Sequence, residues 1–160
     1  MQFYLREKIF TLRDSFVIND VSGRPWFQCQ AEFLTIGHKL HLYDMNDNEV
    51  AYIHQKLFSF MPQYEIWQNG QLAATLHKKL TFLHDRYEVD AWNGQYVIGG
   101  DIWGWNYGIS VNDTQIASVN KQLSFSPGYF VVDIADNADI PMILCFTIVI
   151  DEVKDDQAKR

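Results

Sequence analysis

Histidine is the side chain that could most readily bind a metal ion or carry a proton here, and the chain has five. His38 and His41 lie three residues apart on a predicted strand, so their side chains point to opposite faces and cannot bind one ion together. His54 and His77 hold equivalent outward positions in two similar segments, and they meet only if their strands are neighbours. His84 is predicted to be exposed in a turn. Structural zinc needs four ligands in one tetrahedral site, so we expect neither a metal nor another cofactor.

Two further stretches invite a chemical interpretation. Residues 44–49 (DMNDNE) offer the oxygen ligands that calcium prefers, but an EF-hand needs glycine sixth and glutamate twelfth, where the chain has Glu49 and Gln55. A hairpin turn is predicted there instead. Residues 99–105 (GGDIWGW) follow no phosphate-loop spacing, and Asp101 within them is expected to accept backbone hydrogen bonds in a bend rather than act as a catalytic acid. The sequence contains no nucleophile elbow, triad or carboxylate pair, so an enzyme is not expected.

Composition and charge narrow the class of protein. The chain has 160 residues, of which 48% are hydrophobic and 21% charged, as is typical of a single globular domain. Its 20 acidic and 13 basic residues give a net charge of −7, which disfavours nucleic acid as a partner. Cys29 and Cys145 have apolar neighbours, so we predict buried thiols in a reducing compartment. The first residues lack a secretory signal, and the expected location is cytoplasmic.

Short strands are predicted for most of the chain. The 5 Trp, 8 Tyr and 11 Phe residues favour strands over a helical bundle. Apolar and polar residues alternate with a period of two, and turn signals interrupt this alternation. The predicted strands are 26–34, 39–43, 50–57, 63–67, 72–80, 86–89, 96–98, 107–111, 116–123 and 129–134. Such a series is typical of a closed barrel or a sandwich.

Three of these strands belong to an internal repeat, with copies at residues 50–57, 73–80 and 115–123. In each copy, alternate positions form one face that begins with alanine and continues with a larger aliphatic residue. This face is predicted to point inward, and it comprises Ala51, Ala74, Ala117, Ile53, Leu76, Val119, Gln55, Lys78, Lys121, Leu57, Leu80 and Leu123. Alanine at the same position of three strands indicates that a bulky element, such as a helix, lies inside.

The apolar segment 138–150 could be a helix or a strand. As a helix, its thirteen residues would span about 20 Å, less than the ~30 Å hydrocarbon core of a membrane, so a buried core segment is favoured. The β-branched residues at 147–150 favour a strand. Pro141 in a first turn, with Asp139 as the N-cap and Asp151 at the exit, favours a helix. The residues alone leave both structures open.

The order of the segments resembles the LURP-one-related family, a member of the tubby C-terminal-like superfamily that also includes the phospholipid scramblases. The matching segments are 16–23 (FVINDVSG), 42–44 (LYD), 53–57 (IHQKL), 64–66 (YEI), 96–107 (YVIGGDIWGWNY), 116–121 (IASVNK) and 150–153 (IDEV). The resemblance implies a mainly β fold, a closed antiparallel barrel of about twelve strands around a hydrophobic C-terminal helix at about 139–153. Residues 1–153 would form the single domain, and 154–160 a polar tail whose removal should matter little.

The resemblance also raises the hypothesis of a lipid ligand, because tubby domains recognise phosphoinositide head groups through basic residues. Their Lys and Arg signature is not evident here. The best candidates for lipid binding are Lys56, Lys78, Lys79 and Lys121, which the repeat could bring near one another. The alternative is that these lysines only keep the barrel soluble.

We therefore expect a non-enzymatic binding or scaffold domain whose partner is a phospholipid head group or a protein, with no transmembrane segment. Exposure of Trp103, Trp105 and Tyr107 as one patch would support an interaction surface, although such residues in a barrel more often pack at the rim. The second hypothesis is a small-molecule carrier or membrane-associated regulator holding an apolar ligand. An enzyme of unrecognised type is the third.

Overall fold

A computed structural model describes residues 1–6, 15–82, 84–122 and 129–159. Within these residues the chain forms twelve strands followed by one helix. The strands are β1 (Gln2–Arg6), β2 (Ser15–Asp20), β3 (Pro25–Ala31), β4 (Lys39–Asp44), β5 (Glu49–Gln55), β6 (Gln63–Gln68), β7 (Gln71–Leu80), β8 (Asp85–Ala91), β9 (Gly94–Asp101), β10 (Asn106–Val111), β11 (Thr114–Gln122) and β12 (Tyr129–Ile134). The helix α1 spans Ile140–Ala158.

The strands close into a barrel in which each pairs antiparallel with its neighbours in the chain. The ring closes where β1 pairs with β12, with Phe3 opposite Val132. The predicted closed antiparallel barrel around a C-terminal helix is therefore confirmed. Because consecutive strands reverse direction, the connections β3–β4, β5–β6, β7–β8 and β9–β10 all leave the barrel at one end, which we call the upper end.

Tight turns at the other end follow from the local sequence. Asn69 and Gly70, between β6 and β7, both have positive φ, as two-residue hairpin turns require. In the β4–β5 connection, Asp44 Oδ1 accepts hydrogen bonds from the backbone N–H groups of Asn46 and Asn48, at 2.8 and 3.0 Å. The acidic run at 44–49 is thus the predicted hairpin turn.

The helix α1 fills the interior of the barrel. Its N-cap is Asp139, whose Oδ1 accepts a hydrogen bond from the backbone N–H of Met142 at 3.1 Å, and Pro141 lies in the first turn. Residues 142–150 are buried on every side, which identifies a helix surrounded by protein. The alanine and the following aliphatic residue of each repeat copy face inward as predicted, and Ala51, on a strand that α1 approaches, leaves room for it. In the described part of the chain, no helix is long and apolar enough to cross a bilayer.

Two boundary predictions are wrong. The helix does not end near Asp151 or Val153 but continues to Ala158, because its polar last turns contact the mouth of the barrel and are not a free tail. Leu57 and Leu80 are exposed rather than inward, because β5 ends at Gln55 and β7 ends at Leu80 itself. Leu123, predicted to share their face, lies outside the described residues.

Candidate functional site

The upper end of the barrel carries a concentration of exposed hydrophobic side chains. Of the fifteen large hydrophobic side chains exposed among the described residues, nine lie there. We call these nine the hydrophobic crown: Phe33, Leu34, Ile36, Leu57, Phe58, Phe60, Leu80, Phe82 and Trp103. Leu34, Phe58, Phe60 and Phe82 have relative exposures of 100–102%, so the described chain covers no part of them.

The opposite end of the barrel differs. Its exposed hydrophobic side chains are Val21, Met45, Leu72 and Trp92, and their exposures lie between 45% and 71%. Hydrophobic residues scattered singly over a surface are ordinary, whereas a concentration of them at one place marks an interaction surface. The asymmetry between the two ends therefore identifies the hydrophobic crown as the candidate site.

The backbone beneath two of these side chains is strained. Leu34 and Phe58 have φ values of 55° and 63°, in the left-handed region. A residue with a side chain costs about 1–2 kcal/mol in that conformation, and it persists only where the surroundings or a function require it. Neither side chain packs in the core. Strain in a bulky apolar residue that faces solvent points to a role outside the folded chain.

Contacts between neighbouring connections make the upper rim continuous. Gly37 in the β3–β4 connection lies so close to Leu57 that an added Cβ would be 2.8 Å from the leucine Cδ2. The carbonyl oxygen of Pro62 accepts a hydrogen bond from the backbone N–H of Lys78 at 3.0 Å. Trp103 donates from Nε1 to Asp85 Oδ2 at 3.1 Å. The four connections are thus held together.

The C-terminal turns of α1 support the rim on one side through His38, just before β4. His38 Nδ1 lies 2.9 Å from Glu152 Oε2, and Nε2 lies 2.9 Å from Asp156 Oδ2. Hydrogen bonding to Asp156, and then to Glu152, raises the pKa of His38 to about 9. The ring is therefore an imidazolium at neutral pH, and it pairs with two carboxylates at the negative end of the helix.

The same helix end supports the opposite side of the rim through Lys154. Its Nζ donates hydrogen bonds to the carbonyl oxygens of Ile102 and Trp103, at 3.2 and 2.9 Å, and lies 3.6 Å from the ring centroid of Trp105. The β9–β10 connection is half a turn of the ring away from β4. Because α1 contacts both sides, its last turns brace the rim that carries the hydrophobic crown.

The structure does not bring the four candidate lysines into one basic cluster. Lys78 points inward, is only 2% exposed, and pairs with Asp85 at 3.0 Å, so its ammonium group is not available to a head group. Lys56 Nζ lies 3.9 Å from Glu65 Oε1. Lys79 is exposed on the outer face of β7, and Lys121 lies on β11, four strands away in the ring and thus roughly 19 Å around the wall.

The histidines outside the rim are held in separate pairs. β6 separates the strands of His54 and His77, and these side chains lie 3.6 Å from Glu65 and 3.5 Å from Asp90, respectively. Within the described ranges, no group of three or more His, Cys, Asp or Glu side chains is placed to hold a metal ion. His54 and His77 therefore do not lie on neighbouring strands.

The remaining residues singled out from the sequence are mostly structural. Asp101 accepts a hydrogen bond from the backbone N–H of Gly104 at 2.9 Å, as predicted for a bend. Trp105 and Tyr107 are buried, whereas Trp103 is exposed and belongs to the hydrophobic crown. Cys29 and Cys145 are buried thiols that form no disulfide, in agreement with the predicted burial.

Sequence reasoning missed the hydrophobic crown because it read apolar residues as core. The predicted strands 26–34 and 50–57 ran over Phe33, Leu34 and Leu57, although β3 ends at Ala31 and β5 at Gln55. A usable signal was present in the connections themselves. Bulky apolar residues alternate there with Ser, Thr, Gly and Pro in 32–38 (EFLTIGH) and 56–62 (KLFSFMP), where turn residues alone would be expected.

Comparisons with known proteins agree with the fold. The family described as LURP-one-related matches residues 1–151. The uncharacterised protein YxjI of Bacillus subtilis (strain 168) is 28% identical over 154 residues, which cover 96% of this chain and 93% of YxjI. The X-ray structure of the Arabidopsis thaliana protein AT5G01750 is similar with a TM-score of 0.65 and 15% identity, covering 96% of this chain and 91% of that one. That structural similarity concerns the fold alone.

Proposed function

The chain belongs to the LURP-one-related family, and we propose that it is a non-enzymatic domain that binds phospholipid membranes through the hydrophobic crown. The observation that carries this proposal is the full exposure of Leu34, Phe58, Phe60 and Phe82 on three separate connections at one end of a closed barrel. Full burial of one such side chain contributes about 1.5–3 kcal/mol. Four inserted together can supply the affinity of a peripheral membrane protein.

A bilayer fits this surface better than a folded protein partner does. A protein interface needs packing complementary to a fixed shape, with a largely buried core. The side chains of the hydrophobic crown instead project separately from rigid connections, and the polar residues between them, such as Ser59 and Thr81, are also exposed. A fluid acyl layer accommodates separate projections in any arrangement, while the polar residues between them remain among the head groups.

The carrier and enzyme hypotheses receive less support. The interior that a carrier would use for its ligand is occupied by the buried residues 142–150 of α1. The groups best suited to acid–base chemistry have structural partners, since His38 pairs with two carboxylates of α1 and Asp101 accepts a backbone hydrogen bond. Both observations favour binding without catalysis.

Co-sedimentation with phospholipid vesicles tests the proposal. We expect the wild-type protein to sediment with vesicles, and the double variant Phe58→Ser/Phe82→Ser to bind at least tenfold more weakly. Trp92→Ser removes a large exposed aromatic side chain at the opposite end and should bind as the wild type does. Circular dichroism confirms that all three proteins are folded. Absence of wild-type binding to every vesicle, or an equal loss in Trp92→Ser, would contradict the proposal and favour a protein partner.

A further inference from the structure

We infer that the protein has a second binding site, a groove on the outer wall of the barrel that binds a neutral oligosaccharide chain. We call it the outer groove. None of the nine residues of the hydrophobic crown lines it. The outer groove is therefore separate from the surface that binds membranes in the proposed function, and either site can exist without the other.

The outer groove consists of two adjoining depressions. The first lies along β5 and β6, extends from Lys39 to Asn69 and has a volume of about 650 Å³. The second continues past the β6–β7 turn to Trp92 and has a volume of about 530 Å³. Glu49 and Asn69 line both depressions, so the two are continuous. Ligand sites in proteins have volumes of roughly 300–1,000 Å³, and the outer groove is in this range.

Aromatic rings line the outer groove on both sides of the β6–β7 turn. Tyr52 and Trp67 are cross-strand partners in the β5–β6 pair, so both side chains lie on the outer face of the wall. Trp92, in the β8–β9 connection, is 71% exposed and lines the far end. The ring of Tyr52 stacks on His41, with 4.7 Å between the ring centroids. Because this ring is already oriented, it loses little freedom when a ligand stacks on it.

Amide side chains supply hydrogen-bonding groups between these rings. Asn69 and Gln71 are exposed, and in the part of the chain that the structure describes neither side-chain amide has a hydrogen-bond partner. Gln68 donates from Nε2 to Asp139 at 3.4 Å, which leaves its carbonyl oxygen able to accept. An amide group both donates and accepts hydrogen bonds, and so does each hydroxyl group of a sugar. The lining therefore fits a ligand with many hydroxyl groups.

The charged side chains of the outer groove do not suit an ionic ligand. Glu49 lies 3.3 Å from His41, and Asp139 accepts a hydrogen bond from the backbone N–H of Met142, so both carboxylates already have partners. Among the described residues that line the outer groove, Lys39 is the single Lys or Arg. A polyanion would find one ammonium group there and would also meet two carboxylates. A neutral ligand meets neither obstacle.

An oligosaccharide fits the alternation of rings and amides better than a protein partner does. A protein interface needs a core from which water is excluded, whereas exposed amides separate the aromatic rings of the outer groove. A pyranose ring has apolar C–H faces, which stack on aromatic rings, and a rim of hydroxyl groups, which bond to amides. A chain of such rings presents both kinds of surface repeatedly along its length.

Isothermal titration calorimetry with cellohexaose and with chitohexaose tests the inference, since both are neutral chains of flat pyranose rings. We expect at least one of them to bind with a dissociation constant of about 1 mM or lower. Tyr52→Ala should weaken this binding about tenfold. Tyr43→Ala is the matched control, because Tyr43 also stacks on His41, with 6.1 Å between the centroids, but does not line the outer groove.

Two further variants test the rest of the outer groove. Asn69→Gly removes the amide and keeps the turn, because Asn69 has a φ of 52°, which glycine adopts readily. We expect it to weaken sugar binding about threefold. Trp92→Ser should also weaken sugar binding while vesicle binding is retained, and Phe58→Ser/Phe82→Ser should have the reverse effects. Circular dichroism confirms that each variant is folded.

Three results would overturn the inference. Absence of binding to both neutral hexasaccharides at about 1 mM would show that the outer groove is not a sugar site. An equal loss of binding in Tyr43→Ala and Tyr52→Ala would place the sugar elsewhere on the wall. Tighter binding of hexagalacturonic acid than of the neutral chains would mean that the ligand is anionic. Each of these results leaves the vesicle experiment, and with it the proposed function, unaffected.

Discussion

His38 and Asp156 are 118 residues apart in the chain, yet the imidazole Nε2 lies 2.9 Å from the carboxylate Oδ2. The other ring nitrogen, Nδ1, lies 2.9 Å from Glu152 Oε2, one helical turn earlier on α1. Acidic residues at a helix C-terminus are destabilising unless they are paired. His38 therefore offsets the charge of the helix end, and it fixes the start of the strand that follows Leu34 and Ile36 of the hydrophobic crown.

This pairing makes stability depend on pH in a defined window. The pKa of His38 is raised from 6.5 to about 9 in the folded protein. The stabilisation is fully present below pH 6.5 and is lost as pH rises towards 9. The free energy of unfolding of the wild type should exceed that of His38→Gln. We expect this difference between the two proteins to be larger below pH 6.5 than above pH 9, by on the order of 2 kcal/mol. Urea unfolding of both proteins across this range measures it, and a pH-independent difference would refute the assignment.

Removal of the last turns of α1 should be costly, contrary to the expectation for a polar tail. A chain ending at Val153 lacks Lys154, whose Nζ donates hydrogen bonds to the carbonyl oxygens of Ile102 and Trp103. The Ile102 oxygen keeps only its bond from the backbone N–H of Trp105 at 3.3 Å. We expect the free energy of unfolding to fall by about 2 kcal/mol or more. Deletion of residues 159–160 alone is the matched control, since it removes only the i,i+4 pair of Lys159 with Asp155, and such a pair contributes little. Equal stability of both truncated proteins would show that these contacts do not brace the rim.

The position of α1 inside the barrel gives a direct stability test. Leu144 is fully buried, and Leu144→Asp would place a carboxylate in an apolar core. We expect loss of the folded state in circular dichroism and in amide NMR dispersion. Leu144→Met, which conserves volume, should cost less than about 1.5 kcal/mol. A folded and stable Leu144→Asp protein would mean that the helix lies outside the core.

Lys78 provides a test that separates structure from lipid binding. Lys78→Ala removes the partner of Asp85 on the inner side of the barrel, so it should destabilise the fold by a few kcal/mol, on the order of 3. Lys79→Ala, on the outer face of the same strand, should change stability by less than about 0.5 kcal/mol. Thermal unfolding compares the two. A negligible effect of Lys78→Ala would indicate that its ammonium group is not committed to Asp85.

The parts of the fold that were predictable from sequence rest on local periodicity. Alternation placed Ala51 and Ala74 inward, and the cap and proline signals placed the start of α1, because neighbouring residues decide both features. The pairing of His38 with Glu152 and Asp156 was not predictable, since no local sequence pattern indicates which connection contacts the end of the helix. For Lys78, the alternation along the strand predicts an inward side chain, whereas lysine is usually exposed. The side chain points inward because Asp85 supplies a partly buried counter-charge at 3.0 Å.

Phe58 couples stability to binding, because its side chain is fully exposed and its backbone is left-handed. Phe58→Gly relieves a conformational cost of about 1–2 kcal/mol, from which the greater freedom of glycine in the unfolded chain subtracts about 0.5–1 kcal/mol. We expect the free energy of unfolding to rise by roughly 0.5 kcal/mol while vesicle binding falls about tenfold.

Phe60→Gly is the matched variant for this prediction, since Phe60 is equally exposed but is not among the residues with positive φ. It should lose binding to a similar extent and gain no stability. Denaturant unfolding and vesicle co-sedimentation of the two variants measure both effects. If Phe58→Gly had a lower free energy of unfolding than the wild type, the phenylalanine side chain would be stabilising the fold. A gain in stability with a loss of binding would show that the β5–β6 connection keeps a strained backbone at Phe58 because the exposed side chain is needed for binding.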